Sequence, residues 1–596
     1  MSGNKILEQH MKRNFTPSEY QKAFFEFLRT GVGNAVVNAK AGSGKTTTAV
    51  MGLDIIPESQ KVLYVAFNKA IAEELKSRVK AKPNVDIRTY HSLGYAILRE
   101  NLGRKVEVSP SKYRAHIARH ISEYTDASPL TLGKSKFLAY KNNVKSLVDF
   151  ARCNCAQSPK EIKELCVKYG LDIIYDEDTV IPKILAWGRS NTLEVDYTDM
   201  IWLCVELGLE TRHFKFDFIF IDEAQDSSIV QQELIKKCYK RGGRFIAIGD
   251  EYQCINAFAG ADQDAFRRFQ MEPNTVVLDL PISYRCPKNV IYMAVGLGID
   301  IQPREDAPDG IIREDVSPMM PVSGDMVLCR NTAPLIQLYM KYLGVNKKAY
   351  VKGKDIAENF KAYVESTGQE NLSRHLKKDG VFPRLYERLF DMIDNVVSSE
   401  GLDLEDAVLT QKVVNMYDTI KSLETLSVGL NTSEELIAKI EAIITDDERD
   451  GVCLSTIHKA KGLEADNVFV ACDSLLPSKF AKKAWEIEVE DNLRYVMITR
   501  AKKTLNFISE KEFPPGALSL DAETFIEELE MIKVEVERAI HGKESDVTLA
   551  KKYAYTNEDI TTDVSRILNK KVAGTRVANS RRKNNVGGNR MSKFLK

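Results

Sequence analysis

Asn34-Ala35-Val36-Val37-Asn38-Ala39-Lys40-Ala41-Gly42-Ser43-Gly44-Lys45-Thr46-Thr47-Thr48 is the stretch that decides how this chain is read. A short apolar run comes first, then a turn spaced by glycines, then Lys-Thr, then the helix-compatible residues 48–53. Strand, glycine loop and helix make the setting in which backbone N–H groups and a helix N-terminus surround phosphate oxygens. Ala41, Gly42, Ser43, Gly44, Lys45, Thr46 and Thr47 are therefore the expected phosphate cradle. Lys45 would reach the β- and γ-phosphates, and the Thr46 hydroxyl would be a ligand for Mg²⁺. The strict pattern begins with Gly, where this chain has Ala39. The stretch predicts a nucleotide site.

Toward the N-terminus, residues 15–21 open a helix, with Thr16 as the expected N-cap, Pro17 at N1 and Glu19 at N3. Ala23, Phe24, Phe27 and Leu28 supply its apolar face. Gln21, just before the loop, carries an amide that offers an adenine edge both a donor and an acceptor. Downstream, residues 61–68 read as a buried strand ending at Phe67, followed by a helix over 69–79. Residues 87–92 run from a strand into a polar turn carrying Tyr90 and His91. From about residue 98 to 200 the pattern turns to helices rich in Lys and Glu, without sheet-like runs.

Asp217-Phe218-Ile219-Phe220-Ile221-Asp222-Glu223-Ala224-Gln225-Asp226 is the second informative stretch. An apolar strand delivers Asp222 and Glu223 at its C-terminal end, where open α/β sheets bind ligands. Asp222 suits Mg²⁺, held through water, and Glu223 suits the general base that orients an attacking water. Lys45 and Asp222 stand 177 residues apart. That is more than a simple sheet path needs, so an inserted domain is expected between them. Residues 245–250 repeat the strand-then-acid design. Beyond them, Gln253 is placed to sense a γ-phosphate and Phe258 to face solvent as a stacking platform.

At 596 residues the chain exceeds one core, and about three to five domains are expected. Its 44% hydrophobic and 28% charged content is that of an ordinary soluble protein. Lys plus Arg and Asp plus Glu stand at 84 each, so any nucleic-acid contact must come from a local groove. Of ten scattered cysteines only Cys153 and Cys155 lie close. Reduced structural thiols of a cytoplasmic protein fit better than zinc. Residues 1–14 hold no apolar leader, and no run of about 18 apolar residues occurs, so neither secretion nor a membrane span is expected. Residues 569–596 carry nine Lys or Arg and no acid. They read as a disordered basic tail that is solvated, binds DNA nonspecifically or docks a partner protein.

Taken together, residues 39–46, Asp222-Glu223-Ala224-Gln225-Asp226, and Gly249-Asp250 with Gln253 resemble the first three motifs of superfamily 1 UvrD/Rep/PcrA-like DNA helicases. Leu280-Pro281-Ile282-Ser283-Tyr284-Arg285 resembles the fourth, and Val327-Leu328-Cys329-Arg330-Asn331 the strand motif after it. Leu454-Ser455-Thr456-Ile457-His458-Lys459-Ala460-Lys461-Gly462-Leu463-Glu464 resembles the fifth. Residues 490–501, with Asn492-Leu493-Arg494-Tyr495-Val496-Met497-Ile498-Thr499-Arg500, resemble the sixth.

The resemblance, spanning about residues 15–510, implies two RecA-like α/β domains with ATP between them, each carrying a mainly helical insert. The first core would be 1–97 with 205–276 and its insert 98–204. The second would be 277–360 with 449–545, with a short insert at 361–448, followed by a C-terminal region at 546–596. By resemblance, Gln21 and Tyr284 hold adenine, Glu464 contacts the ribose, Gln253 reads the γ-phosphate, and Arg285 and Arg500 reach it from the second lobe. Phe67, His91 and Phe258 would meet single-stranded DNA, with Thr456 and His458 near its backbone. The third motif departs from the family: Asn256, Phe258 and Ala259 stand where many members have Tyr, an aromatic and Arg. The implied activity is an ATP-dependent 3′-to-5′ DNA helicase acting on single strands and single-to-double-strand junctions. The alternatives are a single-strand translocase that strips bound proteins, or a DNA-gated ATPase switch.

Overall fold

The computed structural model describes residues 16–79, 82–169, 173–255, 264–447, 449–479, 481, 483–513 and 521–541. Phe258 and the basic tail at 569–596 lie outside them. The first helix, Glu19–Thr30, is capped by Ser18, whose hydroxyl accepts from Gln21 N–H while the Gln21 side chain returns to the Ser18 N–H. This corrects the expected cap at Thr16 by two residues. Thr16-Pro17 and Ser18-x-x-Gln21 both read as helix starts, and the reciprocal pair of hydrogen bonds favours the second.

Sixteen strands are described. In the first lobe β1 is Asn34–Ala39, β2 Val62–Ala66 and β3 Val85–Thr89. The two-residue strands β4 (Glu107–Val108) and β5 (Glu194–Val195) pair with each other. This small ladder lies inside the segment read as helices without sheet-like runs. β6 (Phe216–Ile221), β7 (Tyr239–Gly249) and β8 (Thr275–Leu280) complete a parallel sheet of order β3-β2-β6-β7-β1-β8. β8 pairs with β1 along its whole length, so residues 277–280 sit in the first sheet, beyond the boundary expected at 276. β9 (Ile282–Ser283) and β10 (Gln302–Pro303) form a separate pair.

The second parallel sheet gathers β11 (Ile311–Val316), β12 (Met326–Cys329), β13 (Ala349–Lys352), β14 (Val452–Thr456), β15 (Ala465–Val470) and β16 (Ala501–Ile508). Its order is β11-β16-β15-β12-β14-β13. The chain is thus α/β with two six-stranded parallel sheets of RecA-like kind. No helix among the described residues is long and apolar enough to cross a membrane.

Side chains alternate along each strand, so each sheet has two apolar faces. Val36, Leu63, Val65 and Ile219 face a core shared with Tyr140, Leu147, Ile184 and Trp202 of the 98–204 segment. Val37, Tyr64, Phe220 and Ile246 face the other way, against Phe24 and Leu28 of the first helix. In the second lobe Val327, Leu454 and Phe469 share one core with Leu385, Tyr417 and Ile440 of the 361–448 segment and with Phe525 and Leu529 of helix Ala522–His541. Both inserted segments are built onto a sheet face.

Candidate active site

β7 lies between β1 and β6, with Asn38 beside Gly249 and Ile221 beside Ala247. The C-terminal ends of these three strands therefore open side by side. They deliver the glycine loop, the Asp222-Glu223 pair and Asp250 to one place. Ala39, at the position where the strict pattern has Gly, is still inside β1 and pairs with Leu280. A residue in strand geometry needs no glycine, and Ala suffices there.

The glycines that matter are the next two. Gly42 has φ +73°, and a Cβ on it would lie 2.6 Å from both Arg285 Cβ and Ser283 Oγ. Gly44, φ +80°, starts helix Lys45–Leu53 in left-handed geometry and offers no side-chain cap. Among the described residues the first-turn N–H groups thus lack a side-chain cap, and the Ser43 hydroxyl is buried without a hydrogen-bond partner. A cradle of donors around a helix N-terminus, with a buried hydroxyl beside it, fits a phosphate. Thr46 and Asp222 add the hard-oxygen donors that Mg²⁺ takes.

Lys45 Nζ lies 3.0 and 3.2 Å from the two Glu223 oxygens. Burial alone would raise the Glu223 carboxyl, but the Lys45 and Lys461 cations outweigh it and hold the group below its ordinary value. Asp222 moves the other way, pushed up by burial and by the neighbouring Glu223 charge. Its carboxylate accepts from Tyr64 Oη at 3.1 Å and from the Glu223 N–H at 3.0 Å. Glu223 has φ +49°, a left-handed backbone unusual for a residue with a side chain and of the kind found at functional sites.

Across the cleft, the second lobe supplies its own groups. Arg500 is fully buried, and its Nη2 approaches Gln253 Oε1 at 3.4 Å. Burial and the nearby Arg285 charge push it down to about 10, so it stays a cation at neutral pH. Arg285 donates to Glu464 at 2.6 Å, pairing the residue expected at the γ-phosphate with the one expected at the ribose. Tyr284 donates its N–H to Gly42 O at 2.8 Å, and its side chain is 39% exposed beside the loop. Gln21 is buried, with its amide shared between Ser18 N–H and Thr48 Oγ1.

The geometry adds residues not named from sequence as site residues. The Tyr495 hydroxyl accepts from the Ala41 N–H at 2.9 Å and donates to Asp250 Oδ2 at 3.1 Å. Asp250 Oδ2 also receives Gln253 Nε2 at 2.7 Å. Lys461 pairs with Asp226 and donates to Gln253 O at 2.6 Å. Gln225 bridges Glu223 and the Asp250 N–H. Tyr495 and Arg500 both fall inside the sixth stretch quoted above, a spacing that was the available signal.

The residues expected at DNA divide. Phe67 is 43% exposed at the end of β2, and His91 is exposed after β3. Thr456 is buried, and its hydroxyl accepts from Lys459 N–H. His458 is half-buried. Burial and the Arg330 and Lys459 cations push its imidazole down to about 3, so it is neutral at physiological pH. The structure therefore presents Phe67 and His91 to solvent and sets the 456–458 pair deeper.

A glycine loop, paired carboxylates and arginines facing one another across two RecA-like lobes define a P-loop nucleotide-binding protein with a two-lobed cleft. Residues 20–274 match the UvrD/REP helicase N-terminal domain and residues 334–512 the UvrD-like helicase C-terminal domain. The chain belongs to the UvrD/Rep/PcrA-like family of superfamily 1 helicases. It is 26% identical over 531 residues to F-box DNA helicase protein 1 of Schizosaccharomyces pombe, covering 79% of this chain and 55% of that protein. It is 25% identical over 291 residues to ATP-dependent DNA helicase PcrA of Bacillus subtilis, covering 45% of this chain and 38% of that one. With PcrA of Staphylococcus epidermidis it shares 22% identity over 609 residues, 80% of this chain and 82% of that protein. The chain spans about half or less of the first two proteins.

Proposed function

We propose that this protein is an ATP-dependent DNA helicase that moves 3′ to 5′ along single-stranded DNA and opens duplex at a junction. The observation that carries the reading is the chain of contacts Ala41–Tyr495–Asp250–Gln253–Arg500, which ties the phosphate loop to the second lobe. A change at the phosphates in one lobe then moves groups in the other, as a motor requires. The names of the relatives support the substrate, and the polarity rests on the family likeness.

Each residue has a role in this scheme. Lys45 leaves Glu223 for the β- and γ-phosphates, which frees the carboxylate to accept a proton from water. Arg285 and Arg500 stabilise charge on the transferred group, a contribution of about 10³–10⁵ in rate for trans-acting arginines. Gln253 holds Arg500 in register with the γ-phosphate, and Tyr284 covers the adenine. Gln21 reaches the adenine by giving up one of its present hydrogen bonds, and Glu464 reaches the ribose by releasing Arg285. Thr46 and Asp222 would hold Mg²⁺, which when bound neutralises phosphate charge. Phe67 and His91 stack bases of the single strand, a contact that does not read sequence.

The deciding experiment compares duplexes with a 3′ tail and a 5′ tail. Unwinding of the 3′-tailed substrate alone is expected, and preference for the 5′ tail would overturn the polarity. A translocase that displaces proteins is the second reading, favoured by a second insert whose side chains are committed to the lobe core. Strong ATPase stimulation by single strands with no strand displacement would select it.

A further inference from the structure

Lys40 is the first residue beyond β1, and its backbone belongs to the phosphate loop: its N–H donates to Leu280 O and its carbonyl accepts from Ser43 N–H. Its side chain is buried, only 3% of the residue being exposed, and Nζ donates to Asn38 Oδ1 at 2.9 Å. The Asn38 amide nitrogen donates to Asp279 Oδ1 at 3.3 Å, which leaves the amide oxygen to the lysine.

An ammonium taken out of water costs free energy unless other groups replace the water. An apolar side chain would fill the same space without that cost, so the charge itself calls for partners. Two of them belong to the third motif. Glu251 Oε1 lies 3.8 Å from Nζ, and the centroid of the Tyr252 ring lies 4.4 Å from it. The face of a tyrosine ring attracts a cation, the more strongly when both are desolvated.

Glu251, Tyr252 and Gln253 form one short turn after Asp250. Its far end is held by Lys461, which donates to Gln253 O at 2.6 Å, and by Asp250, which accepts from Gln253 Nε2 at 2.7 Å. Lys40 holds the near end, from the side of the phosphate loop. Tyr252 also packs against the core that contains Leu493, Tyr495 and Val496 of the second lobe, and it meets Tyr495 edge to face with centroids 6.2 Å apart. The contacts Lys40–Tyr252–Tyr495 therefore run beside the hydrogen-bonded path from Ala41 through Tyr495 to Asp250. They use different atoms, a charge over a ring in place of a hydroxyl.

We propose that Lys40 is a positioning residue for ATP hydrolysis: its cation, held over Tyr252, sets the 251–253 turn so that Gln253 presents Arg500 to the γ-phosphate. The proposal rests on the roles given to Gln253 and Arg500 above. Lys45 meets the phosphates, whereas Lys40 touches the turn and carries movement of the loop to it.

The test uses the full chain, with Lys40→Met, Lys40→Arg, Tyr252→Leu, the double variant Lys40→Met/Tyr252→Leu, and Gln253→Ala. Steady-state ATPase at saturating oligothymidylate, ATP titration without DNA and melting temperature are measured for each. Lys40→Met keeps the stem and removes the charge, so kcat should fall about tenfold while KM and ATP affinity stay within about twofold of wild type. Its melting temperature should be no lower than wild type, since a buried charge has been removed. Tyr252→Leu should lose a similar factor, and the double variant no more than either single change, because both remove the same contact. Lys40→Arg keeps a cation over the ring and should retain at least about half of the turnover. Wild-type turnover in Lys40→Met, a Lys40→Arg variant as slow as Lys40→Met, or losses that multiply in the double variant would each overturn the role. So would a loss in Lys40→Met that comes with a lowered melting temperature. Gln253→Ala separates the two failures. Wild-type turnover there would overturn the reading of the site on which the proposal rests, whereas a loss at Gln253 with none at Lys40 would overturn the role of Lys40 alone.

Discussion

Tyr495 differs from a phenylalanine by one oxygen, and that oxygen joins the phosphate loop to the third motif. Tyr495→Phe keeps the packing and leaves the Ala41 N–H and one Asp250 acceptor without this partner, a cost of about 1–3 kcal/mol for buried groups. Turnover is expected to fall about 10- to 100-fold with ATP affinity within a few-fold of wild type, because Gln253 and Arg500 lose their tie to the loop. Steady-state ATPase beside nucleotide titration checks this, and equal losses in both would mark a structural residue only. Glu223→Gln tests the base itself. The amide cannot accept the water's proton, and it also releases Lys45 from its ion pair. Hydrolysis should drop by at least about 10²-fold while ATP binds as tightly as in wild type or more so. Lys45→Ala should lose ATPase and keep single-strand binding without nucleotide, a contrast read by filter binding.

At the scale of elements, the strand-then-acid stretches were legible because a buried parallel strand is a continuous apolar run, and its C-terminal end is where chemistry sits. Gly42 and Gly44 announced a turn, and both take positive φ there. Contacts between distant segments were not legible: the Tyr495 to Ala41 hydrogen bond spans 454 residues. Asp418 is a second case. It lies in helix Gln411–Leu426 of the second insert, yet its carboxylate accepts from Ala333 N–H at the start of helix Thr332–Gly344. Burial pushes it up to about 7, against the partial offset of the Ala333 and Thr332 N–H groups and Arg330. A carboxyl raised on folding favours the folded state below its unfolded pKa of about 3.9, and that contribution is lost as pH rises through about 7. The effect is capped at about 4 kcal/mol. Asp418→Asn keeps an acceptor for Ala333 and cannot ionise. Its melting temperature should exceed wild type at pH 8 and match it at pH 4, and a parallel pH profile for both proteins would show that Asp418 does not titrate in this window.

At the scale of the molecule, the second insert decides how the lobes can be taken apart. An insert joined by a linker alone could be removed and leave a folded motor behind. Here Leu385, Tyr417 and Ile440 share a continuous core with Val327, Leu454 and Phe469 of the second sheet, and Phe525 and Leu529 of helix Ala522–His541 close it. Deleting 361–448 would strip one face of a parallel sheet that needs both covered. Each large apolar side chain left in water costs about 1.5–3 kcal/mol, and several together exceed the 5–15 kcal/mol that holds a domain folded. A chain joining 360 to 449 through a short Gly-Ser linker should therefore lose the cooperative unfolding of the second lobe, seen by calorimetry, together with its ATPase. The intact protein should melt the insert and second sheet in a single transition. A deletion variant that stays folded and hydrolyses ATP would show that the shared core is dispensable. The insert would then be a module added to a complete motor.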